Sequence, residues 1–245
     1  MEPVASGQAE TNAMTSFTFP TNTQHDDAVD APPIWSCADI ADAVVHGLKA
    51  RAAADDLGQV VYGFDHLDEL GLHPLLHEAL RAQGLGVIPE QRYPGDRGKR
   101  RRSEGRRCDV VLTQGGMPLR DPDVRGTLFD AQPAIDPEHA YWLEVKTVAQ
   151  YETSGPFHRY SSELLSTVTQ DVKKIWSDSV IRHGGLLVVL FTQNQRVAEH
   201  DLLTWHERCM DKGFPVNPPA LRGFTITERI GNAWCSVAVF GVRGV

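Results

Sequence analysis

No apolar run in the chain approaches the roughly 20 residues that a membrane-spanning helix needs, which argues against a membrane partner. The opening stretch "MEPVASGQAETN" has neither a basic start nor an apolar centre, so no signal peptide is expected and a cytoplasmic location is favoured. Cysteine is sparse and scattered. Cys37, Cys108, Cys209 and Cys235 form no CxxC pair, which removes the spacing for a structural zinc site and leaves four buried free thiols as the expectation. GxSxG, GxxxxGK[ST] and GxGxxG are all missing, so serine-elbow, ATP-driven and hydride chemistry have no local signature. HExxH is missing too. His73 and His77 stand four apart, but the "HPLLH" between and around them carries proline and no glutamate.

Positive charge is absent from residues 1–33, which contain Glu2, Glu10, Asp26, Asp27 and Asp30 and no Lys or Arg. Five of the eight net negative charges lie there, and the segment is predicted to be a disordered acidic tail. Residues 34–245 are long enough for one domain with a sizeable core, and 41% hydrophobic with 23% charged residues is a globular profile. Within that acidic chain, "RYPGDRGKRRRSEGRR" (92–107) sets eight basic residues against two acids. One segment is strongly basic, whatever the total says.

The apolar pattern predicts helices at about 36–53, from Ile40, Val44, Val45 and Leu48, and at 68–84, with Pro74 in the first turn and Gly84 as the stop. Strands are predicted at 84–93, 107–114 and 140–148. A Gly-, Pro- and Asp-rich insertion at about 115–138 separates the last two. A polar loop at 149–160 leads to a strongly amphipathic helix over 161–180, and "GGLLVVLFTQ" (184–193) reads as a strand buried on both faces. A helix at about 197–211 and one or two strands within 221–242 complete an α/β fold: a central mixed sheet flanked by helices. The crossover through 161–180 should set the 184–193 strand parallel to a sheet neighbour.

The informative oddity lies in "AYWLEVKTV". Side chains alternate along a strand, so Trp142, Glu144 and Lys146 share one face, with Glu144 and Lys146 roughly 7 Å apart. The preceding strand repeats the interruption, with Asp109 among Cys108, Val110, Val111 and Leu112. A carboxylate buried without a partner costs several kcal/mol, and a hard divalent cation shared by two of them removes that cost. Taken alone, E-V-K is most often a solvated strand face with a cross-strand ion pair. The Asp in the preceding strand, and the helix and buried strand that follow, shift the balance towards a site.

With those residues in that order, the chain resembles the PD-(D/E)xK nuclease superfamily, the restriction-endonuclease-like fold. The resemblance rests on Asp109 in "RCDVVL", on Glu144 and Lys146 in "WLEVKT", and on a core of helix, three strands, helix and strand over about 66–193, roughly half the chain. Cys108 stands where many members have proline, and the 35 residues from Asp109 to Glu144 require the 115–138 insertion. The resemblance implies a metal-dependent nuclease in which Asp109 and Glu144 bind Mg²⁺, with Mn²⁺ as a substitute. Lys146 would orient or deprotonate the attacking water. It further implies a glutamate from the helix before the first strand, for which Glu78 is the candidate and Glu90 and Glu69 the weaker alternatives. It also implies polar side chains from the following helix, here Lys174 and Gln170 as phosphate or water contacts. The competing view of that helix is a surface pair between Asp171 and Lys174.

The basic segment, with Arg100, Arg101 and Arg102 at its centre, joins the first two strands close to Asp109. It is the expected phosphate-tracking element, with DNA favoured over RNA as the polymer. Tyr151, Phe157, His158 and Tyr160 follow the ExK strand and could stack an unpaired base, although an ordinary packed loop is the commoner role. No separate specificity domain is visible, so cutting is expected to be weakly sequence-selective or directed by a partner protein, and double-strand cutting would call for a homodimer. The alternative is a catalytically silent nuclease-fold subunit that binds nucleic acid or a partner protein.

Overall fold

Ser36 and Asp68 start the first two helices. Ser36 Oγ accepts the Asp39 N–H at 3.2 Å and the Asp68 carboxylate accepts the Gly71 N–H at 2.8 Å, each satisfying a donor that a helix leaves open at its N-terminus. In the computed structural model, residues 35–96, 106–121, 126–128 and 133–243 are described. The acidic tail and Arg100, Arg101 and Arg102 lie outside them, as does part of the 115–138 insertion. Helix α1 spans Cys37–Leu57 and α2 spans Glu69–Arg81. They cross so closely that a Cβ on Gly47 would overlap the Ala79 Cβ. Because α2 begins at Glu69, Pro74 falls in its second turn, not its first.

The strands are β1 (Gly86–Arg92), β2 (Arg107–Thr113), β3 (Tyr141–Ala149), β4 (Tyr151–Glu152), β5 (Gly155–Pro156), β6 (His183–Thr192), β7 (Ala220–Thr225) and β8 (Trp234–Arg243). Six of them form one mixed sheet in the order β1-β2-β3-β6-β8-β7. β3 and β6 are parallel and every other pairing in this sheet is antiparallel. The connection between β3 and β6 passes through a helical turn, α3 (Tyr160–Ser162), a π-type segment (Glu163–Thr167) and α4 (Val168–Ser177). α5 (Gln195–Asp211) follows β6. The expected parallel crossover is therefore present, but its helix is interrupted. The segment expected as a loop at 149–160 contains the small β4–β5 hairpin.

Alternation along the strands divides the core. Leu143, Val145, Leu187 and Val237 pack with α1 and α2 on one face, and Trp142, Leu186, Val188 and Phe240 pack with α4 and α5 on the other. The chain is thus α/β, with a mixed six-stranded sheet flanked by helices on both faces. The insertion is pinned at its base by a Leu119–Ile135 bridge and an Arg120–Asp136 ion pair of 2.9 Å. All four cysteines are free, as expected, although Cys37 is only half-buried. Among the described residues no helix is long and apolar enough to cross a membrane.

Candidate active site

β2 pairs with β3 only from Val110 to Leu112, opposite Leu143 to Tyr141. Beyond that point β3 keeps β6 on one side, from Glu144 to Ala149, while its other edge is open. Two N–H groups on that open edge are capped by carboxylates. Val145 N–H donates to Asp109 Oδ2 at 2.8 Å, and Thr147 N–H donates to Glu69 Oε2 at 3.4 Å. A backbone donor left by the end of the β2–β3 pairing needs an acceptor, and Asp109 and Glu69 supply one each to the strand that carries Glu144 and Lys146. One step beyond the Val110–Leu143 pair, the register sets Asp109 opposite Glu144. On the far side of β2, the β1 register skips Glu90, whose φ of 54° is left-handed, a strain of about 1–3 kcal/mol for a residue with a side chain.

Glu144 is 1% exposed. Its Oε1 accepts the Tyr93 hydroxyl at 2.5 Å, and its Oε2 lies 3.1 Å from Lys174 Nζ, which also lies 2.7 Å from Asp171 Oδ1. Tyr93, itself buried, is oriented by stacking on Trp142. Lys146 takes a different partner: its Nζ is 3.0 Å from Glu69 Oε2. That ammonium faces a cavity of about 310 Å³ that Glu69, Tyr151, Phe157 and Arg159 also line. Tyr160 is directed elsewhere and donates to Asp201 at 2.7 Å.

The titrations follow from this crowding. Burial, and next the Asp109 carboxylate, push Glu144 well above the ordinary carboxylate range against the pull of Lys174 and Tyr93. Burial also raises Asp171, with Lys174 and Lys146 opposing and Asp109 adding to the rise. Burial opposes the charge on Lys174, yet the Glu144 and Asp171 carboxylates outweigh it and raise that pKa. Three carboxylates, Glu69, Glu144 and Asp171, pair with two ammonium groups, Lys146 and Lys174, and Asp109, bonded to the Val145 N–H, adds a fourth negative group beside them. Fully ionised, the cluster lacks two positive charges.

That deficit suits a divalent cation. Among the described residues no three His, Cys, Asp or Glu side chains are placed together as a metal-binding group, so an all-protein cage is not what these residues form. Mg²⁺ needs none: it is commonly held by one or two carboxylates, with waters and substrate phosphates completing the shell. Asp109 and Glu144, hard oxygen donors on neighbouring strands, are the residues that could hold it.

Of the residues expected from sequence, Asp109, Glu144, Lys146 and Lys174 belong to this cluster. Glu78 does not. It is exposed on α2, nine residues beyond Glu69, which is about 13.5 Å along the helix and two and a half turns around it. Glu69, a weaker alternative by sequence, is the helix acid that reaches β3. Glu90 is exposed, and so is Gln170, which lies outside the hydrogen-bonded cluster. The Asp171–Lys174 pair forms, but Asp171 is buried and not at the surface. Tyr93 was not anticipated; its only signal is a lone aromatic between the first strand and the basic run. No protein-family model, curated protein or solved structure matches the chain.

Proposed function

We propose that this chain is a divalent-metal-dependent nuclease with a restriction-endonuclease-like core, hydrolysing phosphodiester bonds of nucleic acid, with DNA the expected polymer. The observation that carries this proposal is the 2.8 Å hydrogen bond from Val145 N–H to Asp109, which ties that carboxylate to the strand of Glu144 and Lys146. The mixed sheet with a parallel β3–β6 crossover adds support, since it is compatible with that core. Asp109 and Glu144 would hold Mg²⁺ or Mn²⁺. When bound, such an ion supplies Lewis acidity at a phosphoryl oxygen and a more acidic water. Glu69 holds the Lys146 ammonium at the open edge of β3. From there Lys146 orients the attacking water and offsets charge building on the phosphate. The basic run at 92–107, including Arg100, Arg101 and Arg102, supplies attraction for the backbone.

One observation favours a silent, nucleic-acid-binding subunit instead: both lysines are ion-paired with carboxylates, Lys146 with Glu69 and Lys174 with Glu144. Incubating a plasmid and oligonucleotides with the protein in Mg²⁺, Mn²⁺ or EDTA separates the two. A nuclease cuts in either metal and not in EDTA, and Lys146→Ala slows cutting by about 10²–10⁴-fold, the usual worth of a positioned acid–base group. Asp109→Ala abolishes it. Metal-dependent cutting that persists in both variants contradicts the assignment, and no cutting under any condition leaves the silent subunit.

A further inference from the structure

We propose that Lys174 is a built-in competitor of the divalent cation. Its ammonium holds the cation's place at Glu144 in the metal-free protein and moves over to Asp171 when the ion binds. This inference rests on the function proposed above and deepens it by assigning roles to Lys174 and Asp171.

The buried Glu144 carboxylate needs compensation in the absence of metal, because leaving such a charge unpaired costs several kcal/mol. Its two oxygens are served by the Tyr93 hydroxyl and by Lys174 Nζ. Only the second carries charge, so Lys174 does the work a metal would do. An ammonium 3.1 Å from Oε2 and a cation coordinated by that oxygen repel each other strongly at such range. One must leave.

Three features make Lys174 the group that leaves. Its side chain is 28% exposed, against 1% for that of Glu144, so it has room to move. It already has a second seat, 2.7 Å away at Asp171 Oδ1, one helical turn back on α4. Lysine presents a compact charge on a flexible stem with several donors, so rotating from two carboxylates onto one breaks no fixed geometry. Lys146 is not equivalent, because Glu69 holds it at 3.0 Å on the open edge of β3. The site therefore uses one lysine for chemistry and the other as an exchangeable counter-charge. A cation binding here pays the cost of displacing Lys174, and by linkage its affinity depends on how firmly Lys174 is held.

That dependence gives opposite signs for two substitutions. Removing the competitor tightens cation binding; removing its second seat confines it to Glu144 and weakens cation binding. The test is isothermal titration of metal-stripped full-length protein with Mn²⁺. Lys174→Met is expected to bind Mn²⁺ about tenfold more tightly than wild type or better, the scale on which desolvated charge pairs couple. Asp171→Asn is expected to bind it several-fold more weakly. Lys174→Gln, which keeps a neutral donor for Glu144, stands in if the methionine variant does not fold, with the same sign expected. Equal or weaker Mn²⁺ affinity in the folded Lys174 variant overturns this inference alone when Asp109→Ala still abolishes binding. Absence of Mn²⁺ binding in wild type and variants alike overturns the metal site and this inference with it.

Discussion

Glu144 concentrates the energetics of the site. A carboxylate that is 1% exposed survives because Tyr93 and Lys174 satisfy it, and Tyr93 is the buried partner, stacked on Trp142. Tyr93→Phe removes one hydroxyl and leaves Glu144 Oε1 short of a donor. Hydrogen bonds to charged groups contribute about 1.5–3 kcal/mol, so urea unfolding at neutral pH should show a loss of that size. An unchanged midpoint would mean that water or a shifted side chain replaces the hydroxyl. Much of the residue-level site was legible in sequence, because a strand's two-residue period fixes which side chains share a face. That period sets Glu144 and Lys146 on one face, while Asp109, on another strand, stood out as an acid interrupting an apolar run. The substitution of Glu69 for Glu78 was not legible. A helical wheel reports azimuth, and the deciding fact is which end of α2 lies over the open edge of β3. The Lys174–Glu144 pair spans 30 residues and two elements, beyond the reach of any local pattern.

Among the elements, β3 is defined by losing one neighbour halfway along. Its first half is a paired central strand, and its second half exposes backbone donors that acidic side chains take up. The strands and long helices could be placed from apolar periodicity. The β4–β5 hairpin and the π-type segment before α4 could not, since two-residue strands carry no period and one extra residue in a helical turn leaves no compositional mark. Helix α2 carries a pH dependence of its own. The His73 and His77 rings lie 5.7 Å apart, and their Nε2 atoms are buried without a hydrogen-bond partner among the described residues. Burial first, then the neighbouring His73 and Arg81 charges, lowers His77 to about 4. An unfolded histidine titrates near 6.5. As pH falls from about 6.5 to 4, the unfolded chain takes up a proton that the folded one refuses, so stability drops across that window. His77→Leu should flatten the profile of urea midpoint against pH there; a profile parallel to wild type would assign the acid limb to other groups.

At the scale of the molecule, charge is segregated. A chain of net charge −8 keeps five acids in residues 1–33 and a run with eight basic residues at 92–107. That run joins β1 to β2, so it departs from and returns to the part of the sheet that bears Asp109. If about four of its charges neutralise phosphates, the logarithm of DNA affinity should fall with that of salt at a slope of about −3.6. Reversing Arg100, Arg101 and Arg102 to glutamate should weaken binding to all sequences alike and make the slope shallower by about 2.7. An unchanged affinity and slope would assign DNA binding to another surface. A mixed sheet flanked by helices and one parallel crossover were foreseeable from the alternating helix and strand patterns; the strand order β1-β2-β3-β6-β8-β7 was not, because it depends on long-range pairings that no local pattern carries. What ties these levels together is a shared cation between β2 and β3. The most direct measurement is an anomalous difference map from a crystal soaked in Mn²⁺. A peak is expected within coordinating distance of both Asp109 and Glu144, with Lys174 turned towards Asp171. A fully occupied Mn²⁺ elsewhere on the protein, with the Glu144–Lys174 pair intact, would contradict it.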